Sequence, residues 1–163
     1  MTRKQTRRGA CILALAATLA AAAVAAGAGK PNTFTLSGQL GGTMTLNSSS
    51  CASDNIQTAD GVTTLRLYLT DHGVKPTSAT WFMLMSAKKA GTVTYPARYP
   101  DEVSLGAAKG AVNADEWNTM TKGSGSLTLN AGFKSGTISL SMSPAVGQHG
   151  ATHTEKIVGS WSC

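Results

Sequence analysis

Charge is sparse in this chain, and clustered charge is sparser: charged residues make up 13% of 163 positions, and outside the N-terminal segment Lys88-Lys89 is the one adjacent basic pair. A nucleic-acid footprint needs basic side chains gathered on one face, so nucleic acid is excluded as a partner and the lysine pair reads as a solvated turn. Cysteine is scarce too, with three in all. No Gly-x-Ser-x-Gly elbow occurs, and Asp71-His72-Gly73, which places two triad-type residues together, reads as a turn. Beyond residue 30 no stretch carries a helical period, the nearest being a turn or two around Trp117 in 111–120. Cys11 stands at the start of the N-terminal apolar run rather than after it, which excludes a lipoprotein acylation site there.

The N-terminus has the three parts of an export signal. Arg3, Lys4, Arg7 and Arg8 form a basic start, an alanine-rich uncharged run follows from Ala10 to Ala26, and small residues allow cleavage between Ala25 and Gly29. We assign 1–26 as a signal peptide, 27–32 as a short N-terminal segment and 33–163 as one domain. Ordinary Sec export fits better than the twin-arginine route, because Ala10 stands where that signal carries a bulky apolar residue. Cleavage removes four of the 14 basic residues, leaving 10 against 8 acidic, a net charge of +2. It also removes Cys11, leaving Cys51 and Cys163. In an exported chain two cysteines are expected to form one disulfide; an intermolecular bridge or two free thiols are the alternatives.

From Thr33 onwards apolar residues recur with period two, the signature of strands with one face inward. Phe34 and Leu36, Leu65, Leu67 and Leu69, and Ile138, Leu140 and Met142 mark such faces, as do Ile157 and Trp161 at the end. The continuous apolar run 81–85 predicts a strand covered on both sides or crossing the centre of a sheet. Gly, Asn, Asp, Ser and Pro separate these runs at the spacing of turns. Eight to ten short strands imply an all-β, single antiparallel β-sandwich, with a small β-barrel as the alternative.

Candidate chemistry is thin. His149, His153 and Glu155 lie close in sequence, but Gly147 and Gly150 make this a loop, where spacing fixes no metal geometry; no metal and no cofactor is expected. The acidic pairs Asp101-Glu102 and Asp115-Glu116 resemble glycosidase carboxylates only in type, since adjacent strand residues point to opposite faces. Aromatics carry more weight. Trp81 and Trp161 sit within apolar alternation and belong to the core. Trp117 and the run Tyr95-Pro96-Ala97-Arg98-Tyr99-Pro100 fall where loops or edges are expected, so Trp117, Tyr95, Arg98 and Tyr99 are the candidate binding residues for a sugar or a partner protein.

Strands leading to Cys51, the Gly-separated alternation over 127–142, and the closing Ile157-Val158-Gly159-Ser160-Trp161-Ser162-Cys163 together resemble the small β-domain lipoprotein antigens of mycobacteria and related actinobacteria. That resemblance implies a non-enzymatic envelope or secreted protein with one disulfide and no cofactor. The chain departs from the family in lacking a cysteine after its signal, so a lipid tether is not carried over. The expectation is an extracytoplasmic, monomeric protein without a membrane span after cleavage, binding an envelope or extracellular protein or carbohydrate. A small secreted polysaccharide-acting enzyme built around Asp115, Glu116 and Trp117, and a hydrolase inhibitor presenting 95–100, are the alternatives.

Overall fold

A computed structural model describes residues 32–74, 80–109, 112–120, 122–146 and 150–163, with 109 and 112–115 as backbone alone. The expected export signal, its expected cleavage zone and the N-terminal segment as far as residue 31 lie outside the described residues.

Period-two alternation builds β1 (Thr33–Gly38), β2 (Gly42–Leu46), β3 (Ile56–Ala59), β4 (Val62–His72), β5 (Thr80–Ala87), β6 (Gly91–Tyr95), β7 (Glu102–Lys109), β8 (Val112–Asn118), β9 (Ser124–Leu129), β10 (Ser135–Pro144) and β11 (Glu155–Ser162). Eight of them close into an antiparallel barrel in the order β11-β1-β2-β4-β5-β7-β8-β10, with β10 pairing back onto β11. The all-β class holds, and of the two expected architectures the barrel forms rather than the favoured sandwich. Closure rests on β11, which pairs β1 along one edge, with Phe34 opposite Gly159, and β10 along the other, with Leu140 opposite Ile157. Three strands lie off the ring. β3 takes the stretch of β4 that β2 leaves free, while β9 adds to β10 and β6 adds to β9.

The turn expected around Trp117 is instead strand β8. Its pairing with β7, which sets Trp117 opposite Leu105, outweighs a weak local preference. Inward side chains fill the barrel: Phe34, Met44, Leu67, Met83, Leu105 and Ile157 are buried, and the three tryptophans are at most 2% exposed. Eight strands enclose about enough room for side chains alone, so the interior is a packed core. Gly136 makes room for one of these rings, because a Cβ there would run into the Trp161 indole and the Thr128 carbonyl.

One carboxylate joins the core. Counting back by twos from Trp161 and Ile157 puts Glu155 on the inward face, where it is 0% exposed. Its Oε2 accepts the Leu40 amide at 2.8 Å, while Oε1 has no partner among the described residues. The hairpin tip between β1 and β2 is fastened further by Gln39, whose Oε1 accepts the amides of Thr152 at 2.8 Å and His153 at 2.9 Å. Burial pushes the Glu155 carboxyl above its ordinary range, and the backbone amides of Leu40 and Gln39 pull it partly back. A carboxyl whose folded pKa exceeds its unfolded value makes the native state bind the extra proton, so stability falls as pH rises through that interval. We therefore expect the melting temperature to rise as pH is lowered from neutral toward the ordinary carboxylate range. Glu155→Gln, neutral throughout, is expected to flatten that rise; thermal melts in which the variant keeps the full slope would exclude Glu155 as its source.

Candidate functional site

Strand register arranges the outer face of the barrel as a grid. On β4 the residues between the buried leucines, Thr64, Arg66 and Tyr68, face outward. Pairing continues each row across the sheet. Gln57, Thr64, Ser86 and Glu102 stand side by side on β3, β4, β5 and β7. Next come Arg66, Leu84 and Ser104, and then Tyr68, Phe82 and Gly106. The first row is stitched by a Thr64–Ser86 hydroxyl hydrogen bond of 3.1 Å. At Gly106 the Phe82 ring lies where a Cβ would sit, so it covers β7 from outside. Of the two expectations for the run 81–85, the central position holds, since β5 lies between β4 and β7, whereas cover is complete on one side only: Trp81, Met83 and Met85 are buried, and Phe82 and Leu84 are half-buried on the outer face.

A groove opens at the Gln57 end of this grid. It is lined by the β3–β4 hairpin, by Ser86 and Glu102, and by Tyr99-Pro100. Asp60-Gly61 forms the hairpin's two-residue turn, with φ of 51° at Asp60 and 73° at Gly61, the left-handed pair that Asp-Gly supplies for a tight hairpin. Tyr99 is held against this groove by its neighbours. Tyr95 and Pro100 are buried on either side of it, and Ala97 packs partly against the core. Asp101 donates its amide to the Arg98 carbonyl at 3.0 Å and accepts the Lys88 amide at 3.1 Å, which ties the segment to the end of β5. Tyr99 itself is 79% exposed. Such a ring, amphipathic and anchored through its backbone, is suited to stacking.

The four candidate binding residues separate. Tyr99 and Arg98 are exposed, as expected. Trp117 and Tyr95 are not: Trp117 is 0% exposed and donates its indole N–H to the His153 carbonyl at 2.8 Å, closing one end of the barrel. Tyr95 is 4% exposed, and burial, followed by the Asp101 carboxylate, raises its phenol pKa. Both are corrected from binding to core residues, because the parity of β8 and β6 turns them inward. The Glu102 and Glu116 carboxylates fall on the other side. Glu102 lines the groove, and its carboxyl is pushed up by partial burial and then by Glu116. Glu116 stands opposite Gly106 on β8, while the side chain of Asp115 lies outside the described residues. Trp117 and its neighbour Glu116 face opposite sides of the sheet, so the Glu116 carboxylate is separated from the indole on which the enzyme alternative was built. His149 also lies outside the described residues; His153 is exposed while Glu155 is enclosed in the barrel.

Cys51, in the short 3-10 turn Ser48–Cys51, and Cys163 are joined as a disulfide with their Cα atoms 5.3 Å apart. Among the described residues no helix is long and apolar enough to cross a membrane. Both observations are compatible with an extracytoplasmic protein. A scan of protein-family models, a search of curated proteins and a search of solved structures each find no match to this chain.

Proposed function

We propose that this chain is exported and acts outside the cytoplasm as a non-catalytic, monomeric binding protein, with its ligand held on the outside of the barrel at the Tyr99 groove. The observation that carries this reading is the contrast between a filled interior and one ring, Tyr99, held 79% exposed over a polar groove. The signal-like N-terminus and the disulfide support export. With no cysteine after its expected signal, the protein fits an untethered counterpart of the envelope lipoproteins it resembles. The inhibitor alternative is weakened because both ends of the 95–100 segment are buried rather than raised on a rigid protrusion.

Tyr99→Ala removes a surface side chain and is expected to leave stability within about 0.5 kcal/mol. The same substitution should release most of the protein from isolated cell envelope in a sedimentation assay. Unchanged sedimentation of a correctly folded Tyr99→Ala protein would place the contact elsewhere.

A further inference from the structure

Three depressions on the outer face run into one another. The Tyr99 groove shares Gln57 and Thr64 with a second depression, which shares Arg66 and Leu84 with a third reaching Tyr68 and Phe82. They follow the outward side chains of β4 from Val62 to Tyr68, a span of about 20 Å at the rise of an extended strand. Aromatic rings stand at both ends, Tyr99 at one and the Tyr68–Phe82 pair at the other. Between them lie hydroxyls, amides and carboxylates.

We infer that this continuous trough along β4 binds an extended, uncharged polysaccharide chain, with rings stacked on Tyr99 and Tyr68 and hydroxyls held by Gln57, Arg66 and Glu102. The inference rests on the proposed function and names its ligand class. Three features of the trough select that chemistry. β4 is paired with β5 from Thr63 to Leu69 and β5 with β7 from Thr80 to Ser86, while on the other edge of β4 β3 takes 62–65, β2 takes 69–72, and Asn47 and Ser50 bond the Tyr68 backbone. The stretch left between them is too short for an extended peptide to add as a strand, the pairing that gives such peptides their affinity. A sugar polymer needs no such pairing, since it binds through side-chain hydrogen bonds and ring faces. Formal charge along the trough comes from Asp54, Asp60 and Glu102 against Arg66, an excess of two negative charges that disfavours anionic polymers. Length is the third feature: contacts at two aromatic sites about 20 Å apart require a ligand of several units rather than a single sugar.

Affinity electrophoresis of the mature exported chain through gels containing a soluble β-glucan, a galactomannan or an arabinogalactan tests this, with oligolysine binding measured in parallel. Retardation by at least one neutral polymer is expected, with Tyr99→Ala and Tyr68→Ala each weakening it about tenfold. Tyr68→Phe should retain binding, and circular dichroism should report a native fold for every variant. Retardation lost with Tyr99→Ala but untouched by Tyr68→Ala would overturn the extended trough while leaving the Tyr99 site intact. Tyr99-dependent binding of oligolysine without retardation by any polysaccharide would overturn the ligand class and leave the proposed function standing. Failure of every probe, while envelope binding still depends on Tyr99, would likewise overturn the polysaccharide alone; failure of both would remove the two readings together.

Discussion

Breaking the Cys51–Cys163 bridge, by reduction or by a Cys51→Ser/Cys163→Ser double substitution, is expected to lower the unfolding free energy by about 3 to 5 kcal/mol. The two cysteines are 112 residues apart, so the bridge removes a large share of the unfolded chain's freedom. It also acts at the barrel's closing strand. Cys163 follows β11 directly and donates its amide to the Lys134 carbonyl at 2.8 Å, while Cys51 follows β2 in a turn whose Ser50 hydroxyl donates to the Tyr68 carbonyl at 2.8 Å. The bridge therefore joins the strand that completes the ring to a turn held against β4. Domains of this kind have about 5 to 15 kcal/mol in total, so the reduced protein should unfold at a much lower urea concentration. Urea titrations with and without reductant measure the difference. A loss below about 1 kcal/mol would mean that pairing of β11 with β1 and β10 closes the barrel without the staple.

Trp117→Ala is expected to cost about 3 to 5 kcal/mol, the range for emptying a large aromatic site in a packed core. Beyond the lost volume, the His153 carbonyl would lose its indole donor, and that bond holds the segment before β11 against β8. Trp117→Phe separates the two contributions. It keeps most of the ring contact but forfeits the hydrogen bond, and should cost less, about 1 to 3 kcal/mol. The contrast with Tyr99→Ala bears on function. A core tryptophan shifts the melting curve and leaves the outer face in place, whereas a binding tyrosine does the reverse. If Trp117→Ala melted like the wild type, the inward placement of β8 would be wrong.

Local pattern carried the strands further than it carried their closure. Alternation identified the inward faces of β4, β10 and β11, since Leu65, Ile138 and Trp161 are all buried. It could not separate a sandwich from a barrel, because both need the same alternation and differ in whether β11 pairs on one edge or two. Trp117 was misplaced for a related reason. Acidic neighbours made its segment look like a solvated edge, yet on a strand the adjacent Glu116 turns to the opposite face and the ring turns in. Parity also held an unused signal for Glu155, which shares the inward face of Ile157 and Trp161 but was grouped with nearby histidines.

The candidate site was half legible. Tyr99 stood out as an aromatic between prolines in an otherwise ring-poor chain, and the structure leaves it exposed. Its partners were hidden. β3 is four residues long with weak alternation, and the row from Gln57 to Glu102 exists only through pairing of strands distant in sequence. Phe82 and Leu84 offered a clue in the unbroken apolar run 81–85, which marked a strand whose outer face also avoids water.

The central claim is that ligand is held on the outside of a filled barrel. Amide chemical-shift mapping of the domain 33–163, titrated with whichever polysaccharide retains it, tests this most directly. The account predicts shifts confined to β3, to the outward positions of β4 and β5 and to the Tyr99 segment, with the amides around Trp81, Trp117 and Trp161 unmoved. Shifts centred on those tryptophans, with the Tyr99 segment silent, would contradict it.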